Sequence, residues 1–137
     1  MKKLDSFKTK AEAIRYIQEN VYGCKQASMA EKYLRDKLPK ESYYQKKILD
    51  YLNKQVPNCF AWKEAAGPYS REGIPDVSAV IDGRYFGFEV KRPYVGVLSK
   101  IQEQTIVSIR KAGGVAEVVC FPEDAARVIE EARKNYT

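Results

Sequence analysis

Two carboxylates and one amine fall where a hairpin would gather them. Asp76, Glu89 and Lys91 lie in GIPDVSAVIDGRYFGFEVKR, residues 73–92. Asp82-Gly83 is a strong two-residue turn signal, because a type I′ turn needs positive φ at both central positions. Apolar runs flank it, Val77 to Ile81 before and Tyr85 to Val90 after. With Asp82 and Gly83 as the loop, Ile81 faces Arg84, and stepping outward sets Asp76 opposite Glu89. Paired side chains share a face, with Cβ atoms about 4.5–5.5 Å apart. Lys91, two residues beyond Glu89, emerges on that face too. A bulge near Asp76 would move it off the shared face.

Directly opposed carboxylates repel and destabilise a sheet, so something must offset them. Mg²⁺ or Mn²⁺ would, since hard divalent cations take carboxylate oxygens and retain waters. Lys91 would then stand beside the attacking water, to orient it or help remove its proton. This is the equipment for metal-assisted phosphodiester hydrolysis. The plainer alternative makes Asp76 a turn cap and Glu89 and Lys91 solvated strand residues. Three such residues in one register favour the chemical reading.

Composition narrows the chemistry further. The chain contains no histidine. That excludes Ser-His-Asp and Cys-His catalysis, histidine-based zinc hydrolases and histidine-dependent nucleases. Cys24, Cys59 and Cys120 are widely spaced, odd in number and without a CxxC pattern, which argues against a disulfide framework or a zinc site. At 137 residues, 45% hydrophobic and 12% aromatic, the chain is long and apolar enough for a folded domain with a real core. Its apolar runs are too short to span a bilayer, and none follows the basic Met1-Lys2-Lys3 start, so the expectation is a cytoplasmic protein with no membrane partner. Net charge is +6. Residues 1–40 hold ten Lys and Arg against five Asp and Glu, and residues 41–137 hold fourteen against thirteen. The surplus is therefore N-terminal. A basic balance suits a polyanion, but alone it does not identify one.

The elements that must position these residues follow from local patterns. Thr9-Lys10-Ala11-Glu12 and Ser28-Met29-Ala30-Glu31 read as capping boxes opening two helices. Gly23 ends the first helix and Pro39 closes the second. A helical hairpin is favoured over a helix-turn-helix reader, because the connection is longer than such a turn. Residues 41–54 read as a third helix, with Tyr44, Ile48, Tyr51 and Leu52 as its stripe. Residues 59–65 alternate as a strand, with Phe60, Trp62 and Glu64 on one face. A loop follows, then the hairpin. Ser99-Lys100-Ile101-Gln102 opens a helix to about Ala112, Val115 to Phe121 is a buried strand, and Pro122 to Lys134 is a final helix. The expected core is α/β, in the order α-β-β-β-α-β with a mixed sheet, preceded by the N-terminal helical hairpin. The expected division is a basic helical extension over 1–40 and a core over 41–137.

GIPD at 73–76, a spacer with a turn, and EVK at 89–91 resemble the PD-(D/E)XK nuclease superfamily. The spacing, with LSKIQ at 98–102 downstream, is most similar to the VRR-NUC family of virus-type replication and repair nucleases, over roughly residues 41–121. The resemblance implies a restriction-endonuclease-like fold and an Mg²⁺- or Mn²⁺-dependent DNA endonuclease. It implies metal ligation by Asp76 and Glu89, with the Val90 carbonyl as a further ligand and Lys91 positioning water. It adds Glu41, a helix residue able to reach the metal; the alternative is an acid favoured by the dipole of its own helix. It also adds Gln102 facing the active site; S-x-x-Q is equally a capping box, and both roles can hold together. In such a nuclease Tyr69, Arg71, Arg92 and Lys100 are candidates for the DNA backbone. Family likeness further suggests a homodimer acting on branched DNA such as four-way junctions or flaps, in DNA repair. The rival from another class is a non-catalytic DNA-binding module using the basic N-terminal helices; an RNA nuclease is a third possibility.

Overall fold

The computed structural model describes residues 1–65, 68 and 71–135. The chain divides into two compact units: residues 1–40 with 92–96, and residues 41–91 with 97–137.

The first unit is built on two helices, α1 (Lys10–Asn20) and α2 (Ala27–Lys37). Thr9 caps α1, its Oγ1 accepting from the Glu12 N–H. Glu12 returns its carboxylate to the Lys8 N–H, one residue before the cap. The expected capping box at Ser28 is not formed. Helix α2 begins at Ala27 behind Gln26, so Ser28 already lies within its first turn. Ala13, Ile17, Ala30 and Leu34 are fully buried between the helices, joined by Cys24, Leu38 and Val95. Val95 comes from the later segment 92–96. Tyr94 of that segment has φ 66° and binds the Phe7 backbone twice, donating to its carbonyl at 2.5 Å and accepting from its N–H at 2.9 Å.

The second unit runs α3 (Glu41–Gln55), β1 (Cys59–Lys63), β2 (Val77–Ile81), β3 (Arg84–Val90), α4 (Lys100–Lys111), β4 (Val115–Val119) and α5 (Pro122–Lys134). It is α/β with a four-stranded mixed sheet in the order β1-β2-β3-β4. The first two pairings are antiparallel and β3/β4 is parallel, joined by α4. At the hairpin tip Asp82 has φ 53° and Gly83 φ 80°, the positive pair a type I′ turn demands. The register runs without a bulge from Ile81↔Arg84 to Val77↔Phe88.

One sheet face carries Val77, Ala79, Ile81, Phe86, Phe88 and Val90 and packs on Tyr44, Ile48 and Leu52 of α3 and on Ala125 and Ile129 of α5. Each large buried side chain is worth roughly 1.5–3 kcal/mol of apolar transfer. Edge strand β1 turns Ala61 inward and leaves Phe60 71% exposed. The Asn53 side chain satisfies both the N–H and the C=O of Ala61, which blunts that edge. Among the described residues no helix is long and apolar enough to cross a membrane.

Candidate active site

Asp76, Glu89, Lys91, Glu41 and Gln102 all belong to the second unit. They come from the residue before β2, the end of β3, the residue after it, the first turn of α3 and the first turn of α4.

Two glycines allow the strands and α4 to approach here. Gly73 has φ +81°, and a Cβ there would collide with the Ile101 side chain and stand 2.8 Å from Thr105 Oγ1. A Cβ on Gly87 would stand 2.7 Å from Pro75 Cγ and 3.0 Å from Tyr85 Oη. Gly87 thus lets buried Pro75 lie flat on β3, and Asp76 follows Pro75 directly. An isolated glycine inside a strand pattern signals such an approach, and this one was readable in the sequence.

Asp76 lies just beyond the last ladder pair. Its Oδ2 accepts from the Val90 N–H at 2.9 Å and its backbone carbonyl accepts from the Glu64 N–H at 2.9 Å. The side chain takes over where the ladder stops. Val90 itself is fully buried.

Glu89 is the centre of the cluster and is 1% exposed. Gln102 Nε2 donates to its Oε1 at 2.8 Å. Lys91 Nζ stands 3.6 Å from the same oxygen and 3.9 Å from Glu41 Oε1. The other oxygen, Glu89 Oε2, is buried without a hydrogen-bond partner among the described residues. Burial, then the adjacent Asp76 carboxylate, push the Glu89 carboxyl up to about 8; Lys91 opposes that rise and Glu41 adds to it. A carboxylate so placed needs either a proton or a cation.

Gln102 performs two tasks at once. The Ser99 hydroxyl accepts from the Gln102 N–H, and Gln102 Oε1 accepts from the Ser99 N–H, closing a capping box. Its amide nitrogen remains for Glu89.

The donor set suits a hard divalent cation. Mg²⁺ binds through one or two carboxylates, retaining waters or taking phosphate oxygens, and does not require an all-protein cage. Among the described residues no group of three His, Cys, Asp or Glu side chains forms such a cage. The adjacent Asp76 and Glu89 carboxylates and the orphaned Glu89 Oε2 are what a cation would satisfy.

The expected DNA contacts fall differently. Arg71 is exposed in the segment before β2, and Lys100 is exposed as the first residue of α4. Tyr69 lies outside the described residues. Arg92 spends its guanidinium inside the first unit, where Nε donates to Pro39 O and Nη2 to Arg35 O and Leu38 O. Those carbonyls at the end of α2 lack partners within their helix, and a cation suits that end of the dipole. The arrangement was not legible locally, because it joins positions more than fifty residues apart.

A polar chain with no counterpart among the expected site residues lies beside Asp76. Trp62 Nε1 and Ser78 Oγ both donate to Glu64 Oε1, at 2.9 and 3.0 Å, and Ser78 Oγ meets Tyr85 Oη at 2.8 Å. It fixes the residue whose N–H holds the Asp76 backbone.

No protein-family model matches the chain, and no curated protein matches it. Among solved structures, it is similar to one described as "VRR_NUC domain", with 21% identity and a TM-score of 0.46, covering 70% of this chain and 92% of that one. A likeness at that identity and score assigns no activity to the chain.

Proposed function

We propose that the chain is an Mg²⁺- or Mn²⁺-dependent endonuclease that hydrolyses DNA phosphodiester bonds. The observation that carries this is the state of Glu89: buried, beside Asp76, with Oε1 held by Gln102 and Lys91 and Oε2 unpartnered among the described residues. The PD…EVK pattern in the sequence supports the same reading.

In this proposal Asp76 and Glu89 would hold the cation, with the Val90 carbonyl as a further ligand; Glu41, which forms no three-carboxylate group with them among the described residues, faces Lys91 instead. When bound, the cation neutralises the carboxylate pair and polarises the scissile phosphate. Gln102 fixes the Glu89 carboxylate through a hydrogen bond that its own helix cap keeps in register. The Lys91 ammonium, drawn between Glu89 and Glu41, orients the attacking water. Low exposure of the Lys91 side chain, 16%, keeps that charge from being spent on bulk solvent. Lys100 and Arg71 would take flanking phosphates, and Tyr69 is a further candidate on the sequence alone. Selection of four-way junctions or flaps by a homodimer extends the proposal on sequence resemblance. Sedimentation showing a strict monomer would remove the junction-resolving version.

The test is cleavage of labelled duplex, flap and four-way junction DNA with Mg²⁺, Mn²⁺ or EDTA, beside Asp76→Ala. Metal-dependent cutting that the substitution abolishes is the expected result. No cutting of any substrate, with salt-dependent binding intact in both proteins, would overturn it in favour of a DNA-binding module.

A further inference from the structure

Two site residues stand at the points where the chain passes between its two units. Glu41 follows Lys40, the last residue of the first segment of the first unit. Lys91 precedes Arg92, where the chain returns to that unit. Inside the first unit, Arg92 Nε donates to the carbonyl of Pro39, two residues before Glu41, at 3.0 Å. Its Nη2 donates to Arg35 O at 2.6 Å and to Leu38 O at 3.3 Å. One guanidinium therefore ties the backbone just before Glu41 to the residue just after Lys91. Tyr94, through both backbone groups of Phe7, and buried Val95 fix the rest of the segment.

We infer that Arg92 is a positioning residue, which sets Lys91 Nζ against the Glu41 and Glu89 carboxylates by clamping the backbone on either side of them. This rests on the nuclease reading for its catalytic consequence. Its geometric content does not. A lysine side chain is long and loses much rotamer freedom when held, so its placement depends on a fixed backbone. Residues 1–40 then supply the clamp's acceptors; without them Lys91 would keep the bond of its own N–H to Val119 O, at 2.9 Å, but lose the tie at the residue that follows it.

The experiment compares full-length wild type with Arg92→Ala, Arg92→Lys and Leu34→Ala. Leu34 is fully buried in the first unit and bonds to nothing at the clamp through its side chain, so Leu34→Ala reports instability alone. Arg92→Lys retains the charge at the end of α2 but offers one point donor to three carbonyls, and serves if Arg92→Ala does not fold. Two readouts are taken where each variant is folded: kcat and KM for Mg²⁺-dependent DNA cleavage, and the NMR shift of the Lys91 Cε–Hε group without DNA. Since small misplacements of a catalytic group have large effects, kcat should fall by about tenfold or more in both Arg92 variants, with KM little changed. Leu34→Ala should retain kcat. The Lys91 signal should move in the Arg92 variants only. Unchanged kcat and an unmoved Lys91 signal would overturn the inference, as would an equal effect in Leu34→Ala. If wild type cleaves nothing, the nuclease reading falls, and the Lys91 signal still decides the clamp.

Discussion

Gln102 donates to Glu89 at 2.8 Å with the nitrogen of the same amide whose oxygen closes the cap of α4. Helix start and candidate active site are thus set by one side chain. Gln102→Ala should lower cleavage about 10- to 100-fold, the usual loss when a partner orienting a ligand is removed. Ser99→Ala takes away the hydroxyl half of the cap, with a loss of about 0.5–2 kcal/mol in stability. It should leave cleavage nearly unchanged. Parallel losses of activity in the two variants would mean that Gln102 acts through the helix alone.

Glu89 gives the metal-free protein a pH dependence of definite sign. Its folded carboxyl is raised to about 8, above its ordinary value near 4.5, mainly by burial and by Asp76. The folded state therefore holds its proton more tightly than the unfolded state. The resulting stability is full below about 4.5 and is lost as pH rises toward about 8. Glu31, Asp36 and Asp82 are lowered by Lys10, Lys32 and Arg133 respectively, and act oppositely at acid pH. The difference between wild type and Glu89→Gln isolates the effect. Thermal melts in EDTA should show wild type losing ground to Glu89→Gln across that window. Mg²⁺ should restore wild type at the alkaline end, since the cation replaces the proton. Melts of the two proteins that run parallel from pH 5 to pH 8 would refute this.

Gly87 tests the approach that seats Asp76. In Gly87→Ala the new Cβ would stand 2.7 Å from Pro75 Cγ. Pro75 is buried and cannot swing away as a flexible side chain would. Overpacking of this kind destabilises by about 1–3 kcal/mol, read as a lower denaturant midpoint. Because Asp76 moves with Pro75, cleavage should fall as well. Wild-type stability would show that the β2 entry yields more easily than its packing implies.

The hairpin was legible because turn chemistry is local: Asp82-Gly83 demanded a register, and the ladder follows it. Helix α5 carries its acids at the start and its bases at the end, and its bounds match that pattern. The double use of Gln102 was open in the sequence, since S-x-x-Q states a cap but not where the spare nitrogen points. The Ser28 box misled because side-chain capping competes with an earlier start: α2 begins behind Gln26 and no side-chain bond holds the cap. Alternation in β1 gave two faces without saying which turned inward, and Ala61 lies inside while Phe60 lies out. Arg92 read as a phosphate ligand, because nothing near it in sequence names the carbonyls of residues 35–39 that occupy it.

Lys91 offers the sharpest division between structure and chemistry. Its ammonium lies within 4 Å of two carboxylates, while its backbone N–H holds it to the sheet through Val119 O. Lys91→Ala should fold and bind DNA while cleaving about 10²- to 10⁴-fold more slowly, the range expected when a group handling a proton is lost. Lys91→Arg should not rescue it, because a planar guanidinium cannot place a point charge in the same space. Removing the ammonium also strips Glu89 of the one charge that lowers its pKa in the cluster. Metal binding by Lys91→Ala, measured by calorimetry with Mg²⁺ alone, should therefore weaken toward acid pH sooner than in wild type. Cleavage retained in Lys91→Ala would take this residue out of the mechanism and leave the carboxylate pair to act without it.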